Sequence, residues 1–382
     1  MKEMHGLIKV HMLPAKEGDF IWMEYGDEEK YSHILIDGGV SVTGNVYAKI
    51  VQEIYERSED IDAIILTHID YDHIQGVINA IEQLPKEILT KVVKRIMFNT
   101  SQGIAHKRKM KIKENSCWED NIKVNTSTFG YGIGEAISLI NLLKEKELTK
   151  YLIDYVEAGD LFDLDKGAKM KIISPSSCEL DELLVKWEAY KKDEEPVAYA
   201  TNAENTKKNI DHLMKDALYI DNSVNNRSSI AFLFEFEGMK LIFLGDALPS
   251  ICIEGLKKHN IIAPYSVDLI KISHHGSRSN TSDRLLKFLP TENYLLSTNG
   301  NNGKVPSKVV LAHLLKNCNN KSIRLYCNYK WWELEYAGKF FTEIDKEKIL
   351  DKKKLQVQYI ESKGIEIKEG IKLYGRYRRS NK

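Results

Sequence analysis

The stretch LTHIDYDHIQG (residues 66–76) places two histidines and two aspartates within six positions, at the end of the apolar run DIDAIIL (60–66). The run predicts a buried strand, so these polar side chains are expected where a strand ends and a helix begins. Two close carboxylates repel each other and lose hydration there unless a positive charge compensates them. The pattern therefore indicates a bound cation, with these candidate ligands: His68, Asp70, Asp72 and His73.

Composition limits the explanations for such a site. The chain has 382 residues, 43% of them hydrophobic, which is enough for one large domain or two ordinary ones with a sizeable core. Lys plus Arg equals Asp plus Glu at 55 each, so overall charge gives no argument for nucleic acid, a membrane or an acidic substrate. The five cysteines form no CxxC pair, which favours reduced thiols over a disulfide framework or a four-cysteine zinc site.

The beginning of the sequence, MKEMHGLIKV, has neither the apolar stretch nor the cleavage site of a secretory signal. No uninterrupted apolar segment approaches the roughly 20 residues that a membrane span needs. We therefore expect a soluble, cytoplasmic protein without a membrane partner.

Strand and helix patterns alternate along the chain. Strand patterns at 7–13, 20–26 and 31–39 are separated by turns, and a helical pattern over 45–59 precedes the strand at 60–66. This order predicts an α/β (α+β) protein whose mixed sheets are covered by helices. Residues 177–217 are polar and helix-forming, which indicates either an insertion that lies over the core as a lid or a solvated helical excursion without a role.

Two further apolar strands end in residues that bind metals. KLIFLGD ends in Asp246, and VDLIKISHHGS runs into His274 and His275. Side chains at the ends of neighbouring strands can converge on one point, as a metal site requires. Imidazole and carboxylate ligands without cysteine suit zinc, and manganese or iron bind the same groups.

The number of candidate ligands suggests two metals. In this hypothesis one metal is bound by His68 and Asp70, the other by Asp72 and His73, and Asp246 bridges them. His274 is nearer the strand end and is the stronger ligand candidate of its pair, while His275 is either a ligand or a proton donor to the leaving group. A calcium loop of the EF-hand type is excluded because the required glycine and late glutamate are missing from the frame.

The motifs THIDYDH, LGDA and HHGS, preceded by KVHMLPAKEGDFIWMEYG and ILIDGG, together resemble the metallo-beta-lactamase superfamily. Within it the chain looks most like the branch of the ComEC competence-protein hydrolase domain. The resemblance implies a four-layer αββα sandwich with metals at the edge of the two sheets. It also implies that Asp37 supports the site, that Asp19 lies in the turn of the GxGD type, and that Asn225, Asn226, Ser228 and Ser229 form the Asn/Ser stretch before the bridging aspartate.

The resemblance suggests a division of the chain and exposes one departure from the family. Residues 1–320 would form the hydrolase domain, with the insertion at about 177–217, and residues 321–382 a C-terminal extension with a basic tail. The family segment that ends in His-Pro, whose histidine completes the second metal site, has Val305 before Pro306 here. The second metal would then be weak, take water instead, or use another residue such as His313.

A divalent metal lowers the pKa of bound water, so the expected reaction is hydrolysis, with Asp70 or Asp72 orienting the water or moving its proton. Phosphodiesters, and hence nucleic acid or a nucleotide, are the first substrate hypothesis, because the ComEC-like branch is thought to degrade nucleic acid. Basic stretches at 106–113 and from 346 onward could bind phosphates, although a solvated face is the more common explanation for such runs. The candidate substrate-binding residues are Lys271, Asn226, Ser228 and Ser277.

Two alternatives remain open at this point. One is a hydrolase of a small molecule, such as a cyclic nucleotide, a lactone or a phosphoester. The other is a degenerate metal-binding partner protein without turnover. The oligomeric state is not predicted.

Overall fold

The computed structural model describes residues 6–27, 29–109, 132–190, 207–300, 305–334, 340–360, 363–368 and 370–376. Within them two β-sheets pack face to face, and helices cover the outer face of each sheet. The predicted four-layer αββα architecture is confirmed. None of the described helices combines the length and the apolar character needed to cross a bilayer.

The first sheet has the strand order β16-β15-β1-β2-β3-β4-β5-β6 among the described residues. It is antiparallel from β16 to β3 and parallel from β3 to β6. Its strands are β1 (Leu7–Met12), β2 (Ile21–Gly26), β3 (Tyr31–Ile36), β4 (Asp60–Ile65), β5 (Ile96–Met97), β6 (Leu152–Ile153), β15 (Lys363–Ile367) and β16 (Ile371–Arg376).

The second sheet has the order β14-β13-β12-β11-β10-β9-β8-β7 in the described part of the chain. It is parallel from β14 to β10 and antiparallel from β10 to β7. Its strands are β7 (Leu161–Asp163), β8 (Lys169–Ser174), β9 (Ala231–Phe236), β10 (Met239–Phe243), β11 (Leu269–Lys271), β12 (Asn293–Leu296), β13 (Ile323–Cys327) and β14 (Leu355–Tyr359).

The helices form the two outer layers. They are α1 (Gly44–Glu56), α2 (Tyr71–Gln83), α3 (Lys86–Val92), α4 (Ser101–Arg108), α5 (Ile133–Glu145), α6 (Ser177–Ala189), α7 (Ile210–Leu213), α8 (Val224–Arg227), α9 (Pro249–Lys258), α10 (Asp283–Phe288), α11 (Lys308–Asn317) and α12 (Glu343–Asp345). The apolar side chains of α1 to α6 pack on the first sheet, and those of α7 and α9 to α11 pack on the second.

Both faces of the central strands are buried, because helices cover one face and the opposite sheet covers the other. In β1, for example, Val10 and Met12 belong to the apolar layer between the sheets. Their neighbours in that layer include Phe234 and Phe243 of the second sheet. This explains why the strands read as nearly continuous apolar runs rather than as alternating ones.

The segment at 177–217 is not a solvated excursion where the structure describes it. Helix α6 buries Leu180, Leu183 and Trp187 in the core over the first sheet, while α7 buries Ile210 and Leu213 over the second. Residues 191–206, the middle of the predicted insertion, lie outside the described residues.

The segment after residue 320 contributes strands to both sheets. β13 and β14 extend the second sheet by parallel pairing on β12, and β15 pairs with β1 in the first sheet. No break in either sheet therefore marks the predicted boundary at 320/321 in the part of the chain that the structure describes.

Candidate metal centre

The motif at 68–73 spans the connection between β4 and α2. β4 ends at Ile65, and Asp70 takes the N-cap position of α2 with extended backbone angles. The Asp70 side chain makes no hydrogen bond to the first turn of the helix. Its carboxylate is therefore available to groups outside the helix, as the sequence predicts for a ligand.

Four imidazoles surround one carboxylate. Asp246 follows β10, and its Oδ2 lies 3.7–3.9 Å from the Nε2 atoms of His68, His73, His274 and His275. Three of these Nε2 atoms, all but that of His274, are buried without a hydrogen-bond partner in the described structure, as is Asp246 Oδ1. Buried polar atoms rarely remain unsatisfied. Four such atoms converging at one point fit a metal centre.

Two overlapping groups of ligand atoms can be distinguished. Asp70 Oδ2 lies 3.5 Å from His68 Nε2. Asp72 Oδ2 lies 3.8 Å from both His73 Nε2 and His275 Nε2. Ligand atoms within 4.8 Å of one another occur in the triplets His68, His73, Asp246 and Asp72, His73, His275. These groups could hold one or two metal ions.

Hydrogen bonds at the opposite ring nitrogen set the tautomer of each histidine. The acceptors of the four Nδ1 atoms are, in chain order, Thr67 Oγ1 (3.0 Å), Asp37 Oδ2 (2.8 Å), Asn280 Oδ1 (2.9 Å) and the Ser297 carbonyl (2.9 Å). The Thr67 hydroxyl itself donates to Asp37 (2.7 Å), so it must accept from His68. With the proton on Nδ1, every Nε2 keeps a lone pair for a metal, which is the arrangement found in metal-binding histidines.

The charges of the centre depend strongly on one another. Burial opposes a charge on His73, but the surrounding carboxylates, Asp246 first, raise its pKa well above the usual value. Burial likewise opposes the charge of Asp246, and the adjacent histidines lower its pKa well below the usual range. A proton and a metal ion would therefore compete for the same nitrogen atoms.

His274 and His275 reach the centre through an unusual backbone. β11 ends at Lys271, and both histidines have positive φ angles, 46° and 53°. Non-glycine residues in this region cost on the order of 1–3 kcal/mol each, and they concentrate at functional sites. Because β11 ends at Lys271, the two histidines lie on a turn beyond the strand and not on one of its faces.

Lys271 does not fit the predicted role in substrate binding. It is only 1% exposed, its ammonium forms an ion pair with Asp19, and it donates to the Gly245 carbonyl at 3.2 Å. The other oxygen of Asp19 lies 3.6 Å from His275 Nδ1. Lys271 and Asp19 thus form a buried pair beneath the centre, which agrees with a supporting position for Asp19.

The remaining predicted substrate residues lie at different distances from the centre. Asn226 Nδ2 lies 3.3 Å from His274 Nδ1 and donates to Asp221 at 2.7 Å. The Ser228 hydroxyl donates to the Asn225 carbonyl within its own turn, and that of Ser277 accepts from the Ser279 N–H. The structure therefore brings Asn226 beside a candidate ligand, whereas the two serines stabilise local turns.

Sequence reasoning missed several residues that hold the ligands. Asp221 lies 3.2 Å from His274 Nδ1; burial opposes its charge, but hydrogen bonds with His274 and Asn226 lower its pKa to about 2. Asn225, placed above only within a family stretch, donates to Asp70. Lys186 of α6 donates to Asn225 at 2.7 Å. No local pattern marks Asp221 or Lys186, because their partners lie far away in the sequence.

His313 does not complete the second group of ligands. Its Nδ1 lies 2.6 Å from Asp283 and its Nε2 lies 3.0 Å from the Asp216 carbonyl, so both ring nitrogens have partners elsewhere. The position beside Asp72 and His73 is taken by His275.

Residues 29–102 match the model of a family described as the metallo-beta-lactamase superfamily. The matched stretch contains Asp37 and the whole motif from His68 to His73. The chain has the metallo-beta-lactamase fold. Members of this superfamily usually bind metals such as zinc, and the His/Asp groups described above could hold such a metal.

Solved structures of metallo-beta-lactamase type are similar at low identity. The metallo-beta-lactamase fold protein YhfI from Bacillus subtilis is 9% identical, with 92% of this chain and 97% of that one covered and a TM-score of 0.36. A putative metal-dependent hydrolase from Parabacteroides distasonis is 11% identical, with 82% of this chain and 95% of that one covered and a TM-score of 0.32. A metallo-beta-lactamase from Cronobacter sakazakii is also 11% identical, with 80% of this chain and 89% of that one covered and a TM-score of 0.32. No curated protein gives a significant match. Similarity at this level carries no argument about activity.

Proposed function

We propose that this protein is a metal-dependent hydrolase that cleaves phosphodiester bonds, of the ComEC-like type suggested by its motifs. The observation that carries the proposal is the ring of four histidine Nε2 atoms around Asp246, three of them buried and without a partner among the described residues. Zinc is the first candidate metal, and manganese or iron would bind the same groups.

We assign the ligands to two metal positions that share Asp246. His68, Asp70 and His274 would hold one metal, and Asp72, His73 and His275 the other. This assignment gives each position a carboxylate of its own and two imidazoles. It also removes the need for a histidine at position 305, because His275 supplies the nitrogen next to Asp72.

Metals bound here would supply a water of lowered pKa and would polarise an oxygen of the substrate. The residues of the chain have three tasks. Asp70 and Asp72 have partly exposed side chains, 27% and 31%, so either carboxylate can orient a water or accept its proton. Asp37 holds His73 in the tautomer that binds metal. His275 is buried, which favours its role as a ligand over that of a proton donor to a leaving group.

The phosphodiester substrate rests on the sequence resemblance and on local charge. Of the basic stretch at 106–113, His106 and Lys107 are exposed at the end of α4, while Arg108 is paired with Asp181. Residues 110–113 lie outside the described residues, as do Tyr377, Arg378 and Arg379 of the tail. A nuclease and a hydrolase of small phosphoesters would share this centre and differ in nucleic-acid binding.

The test is the metal content of the purified protein, together with cleavage of a bis-aryl phosphodiester and of single-stranded DNA with added zinc or manganese. The variant is Asp246→Ala, and the matched control is His212→Gln, which changes an exposed histidine of α7 outside both the centre and the basic stretches. About two metals per chain and cleavage lost only in Asp246→Ala would support the proposal. Metal without cleavage would indicate a non-enzymatic metal-binding protein. Cleavage of the small diester without DNA binding at low salt would favour a small-molecule hydrolase.

A further inference from the structure

A chain of three polar contacts connects helix α6 with a candidate metal ligand. Lys186 Nζ donates to Asn225 Oδ1 at 2.7 Å, and the Asn225 amide nitrogen donates to Asp70 Oδ1. The other oxygen of Asp70, Oδ2, lies 3.5 Å from His68 Nε2. Each oxygen of the Asp70 carboxylate thus has a neighbour, the amide of Asn225 at Oδ1 and the candidate metal centre at Oδ2, and each keeps a further lone pair.

We propose that Lys186 is a positioning residue that orients Asp70 toward the metal through Asn225. This inference rests on the proposed metal centre. It assigns a role to the first helix of the 177–217 segment, which in the sequence is only a polar helix without a function.

The argument depends on the chemistry of the amide. An asparagine side chain can turn over and exchange its oxygen with its nitrogen, and only its neighbours decide which way it lies. An ammonium group is only a donor, so it requires the amide oxygen on the side of Lys186. The NH₂ group must then face Asp70, where it stabilises one carboxylate oxygen and leaves the other for His68 and the metal. Without Lys186, the amide oxygen could turn toward Asp70 and repel it.

The position of Lys186 is fixed by the packing of its helix. α6 buries Leu183 and Trp187 on either side of Lys186 along the chain. Arg108 of α4 holds the start of the helix through Asp181 and the Ser177 carbonyl, at 2.8–3.1 Å. An ammonium carried by a packed helix is better suited to holding a ligand than one carried by a mobile loop.

The chain offers an independent cation on the same helix interface as a control. Arg108 fastens α6 as Lys186 does, but its contacts are with Asp181 and Ser177 and not with Asn225 or Asp70. A general loosening of α6 should therefore affect Lys186→Met and Arg108→Met alike. A specific effect on the orientation of Asp70 should appear only in Lys186→Met.

The experiment is a zinc titration of the full chain against a chromophoric chelator. It compares wild type with the single variants Lys186→Met, Lys186→Arg and Arg108→Met. It also compares Asn225→Ala with the double variant that carries Asn225→Ala and Lys186→Met. We expect Lys186→Met to weaken one of two zinc sites about 10- to 100-fold, the range for residues that support metal ligands. Lys186→Arg, which keeps a donor, should recover most of the affinity, and Arg108→Met should leave it unchanged. In the Asn225→Ala background, Lys186→Met should cause no further loss.

Three results would overturn the inference. Unchanged zinc affinity with a raised KM in Lys186→Met would place the ammonium on the substrate. An equal loss of zinc affinity in Arg108→Met would mean that the packing of α6, and not the contact with Asn225, explains the effect of Lys186→Met. A full additional loss in the Asn225→Ala background would show that Lys186 does not act through the amide. Wild-type protein that binds no zinc, manganese or iron would instead remove the proposed function, and this inference with it.

Discussion

The imidazole rings of His274 and His275 lie at 79° to each other, yet their Nε2 atoms both lie within 4 Å of Asp246 Oδ2. Two adjacent residues can reach the same carboxylate from different directions because both have left-handed backbone angles. One ring is held by Asn280 and the other by the Ser297 carbonyl. The HHGS motif thereby supplies one candidate ligand to each of the two proposed metal positions.

The first prediction concerns the second metal position. Replacing His275 by Ala should reduce the zinc content from about two per chain to about one, because His275 is one of the two nitrogen ligands proposed for the position that contains Asp72. Val305→Ala should keep both metals, although Val305 stands where the resembling family has a histidine. Metal analysis of the two variants by mass spectrometry checks this. Loss of a metal from Val305→Ala alone would contradict the assignment.

The second prediction concerns Asp37, whose carboxylate accepts from the Thr67 N–H, from the Thr67 hydroxyl and from His73 Nδ1 at 2.7–2.8 Å. In Asp37→Asn one oxygen becomes an NH₂ group that faces these donors. The left-handed φ of 52° at this residue is tolerated by asparagine, so the effect is not a backbone effect. We expect a loss of about 1–3 kcal/mol in the free energy of unfolding, as for unsatisfied buried donors.

Urea unfolding of the metal-free protein measures that loss, and a zinc titration should show weaker binding as well. Because Asn79 lies on α2 but outside the centre, Asn79→Ala serves as a control for general weakening of that helix. Unfolding midpoints that agree between wild type and Asp37→Asn would refute the supporting role of Asp37.

The third prediction uses a close approach between two chain segments. A Cβ atom added at Gly18 would lie 1.5 Å from the Asp72 carbonyl oxygen, so Gly18→Ala must push the 15–19 turn away from α2. We expect destabilisation of a few kcal/mol, as for overpacked cores, and weaker metal binding by Asp72. Gly134→Ala is the matched control, because among the described residues its added Cβ would meet only Tyr190 OH, at 3.4 Å, in a helix where alanine is favoured. Thermal melting compares the two variants.

The fourth prediction concerns pH and a buried charge network on the first sheet, away from the metal centre. Burial opposes the charge of Glu24, but its hydrogen bond with His11 and the nearby His33 and Arg57 lower its pKa to about 2. Since the pKa is lower in the folded than in the unfolded state, Glu24 stabilises the fold above about pH 4.5, and this stabilisation is lost as the pH falls toward 2.

Glu24→Gln should therefore lower the free energy of unfolding by up to about 3 kcal/mol near neutral pH. The difference from wild type should shrink steadily between pH 4.5 and 2. Urea unfolding at several pH values measures it. A difference that stays constant over this range would mean that packing, and not charge, explains the effect of the substitution.

The sequence was sufficient to predict the strands and the ligand motifs because these depend on local patterns. The apolar run before His68 marks β4, and the runs before Asp246 and His274 mark β10 and β11. β10 and β11 are neighbouring parallel strands of the second sheet, so the convergence of Asp246 and His274 could be expected. β4 belongs to the first sheet, and its ligands meet the others where the two sheets face each other.

Other parts of the site depend on contacts that leave no local signal. Asn225 meets Asp70 across 155 residues of sequence, and Lys186 meets Asn225 from a separate helix. The positive φ angles of His274 and His275 could not be read from the letters HHGS either. Lys271 was misassigned for the same reason, because its buried partner Asp19 lies in the other sheet's turn.

The pairing of β15 with β1, with Val10 opposite Ile365, has a consequence for how the chain is made. During synthesis every proposed metal ligand has emerged long before residues 363–367 are available to cover the edge of β1. Until then β1, a largely apolar strand of six residues, offers its unpaired backbone groups to any other chain. A protein that lacks residues 363–376 would thus retain its complete set of ligands and fail by aggregation.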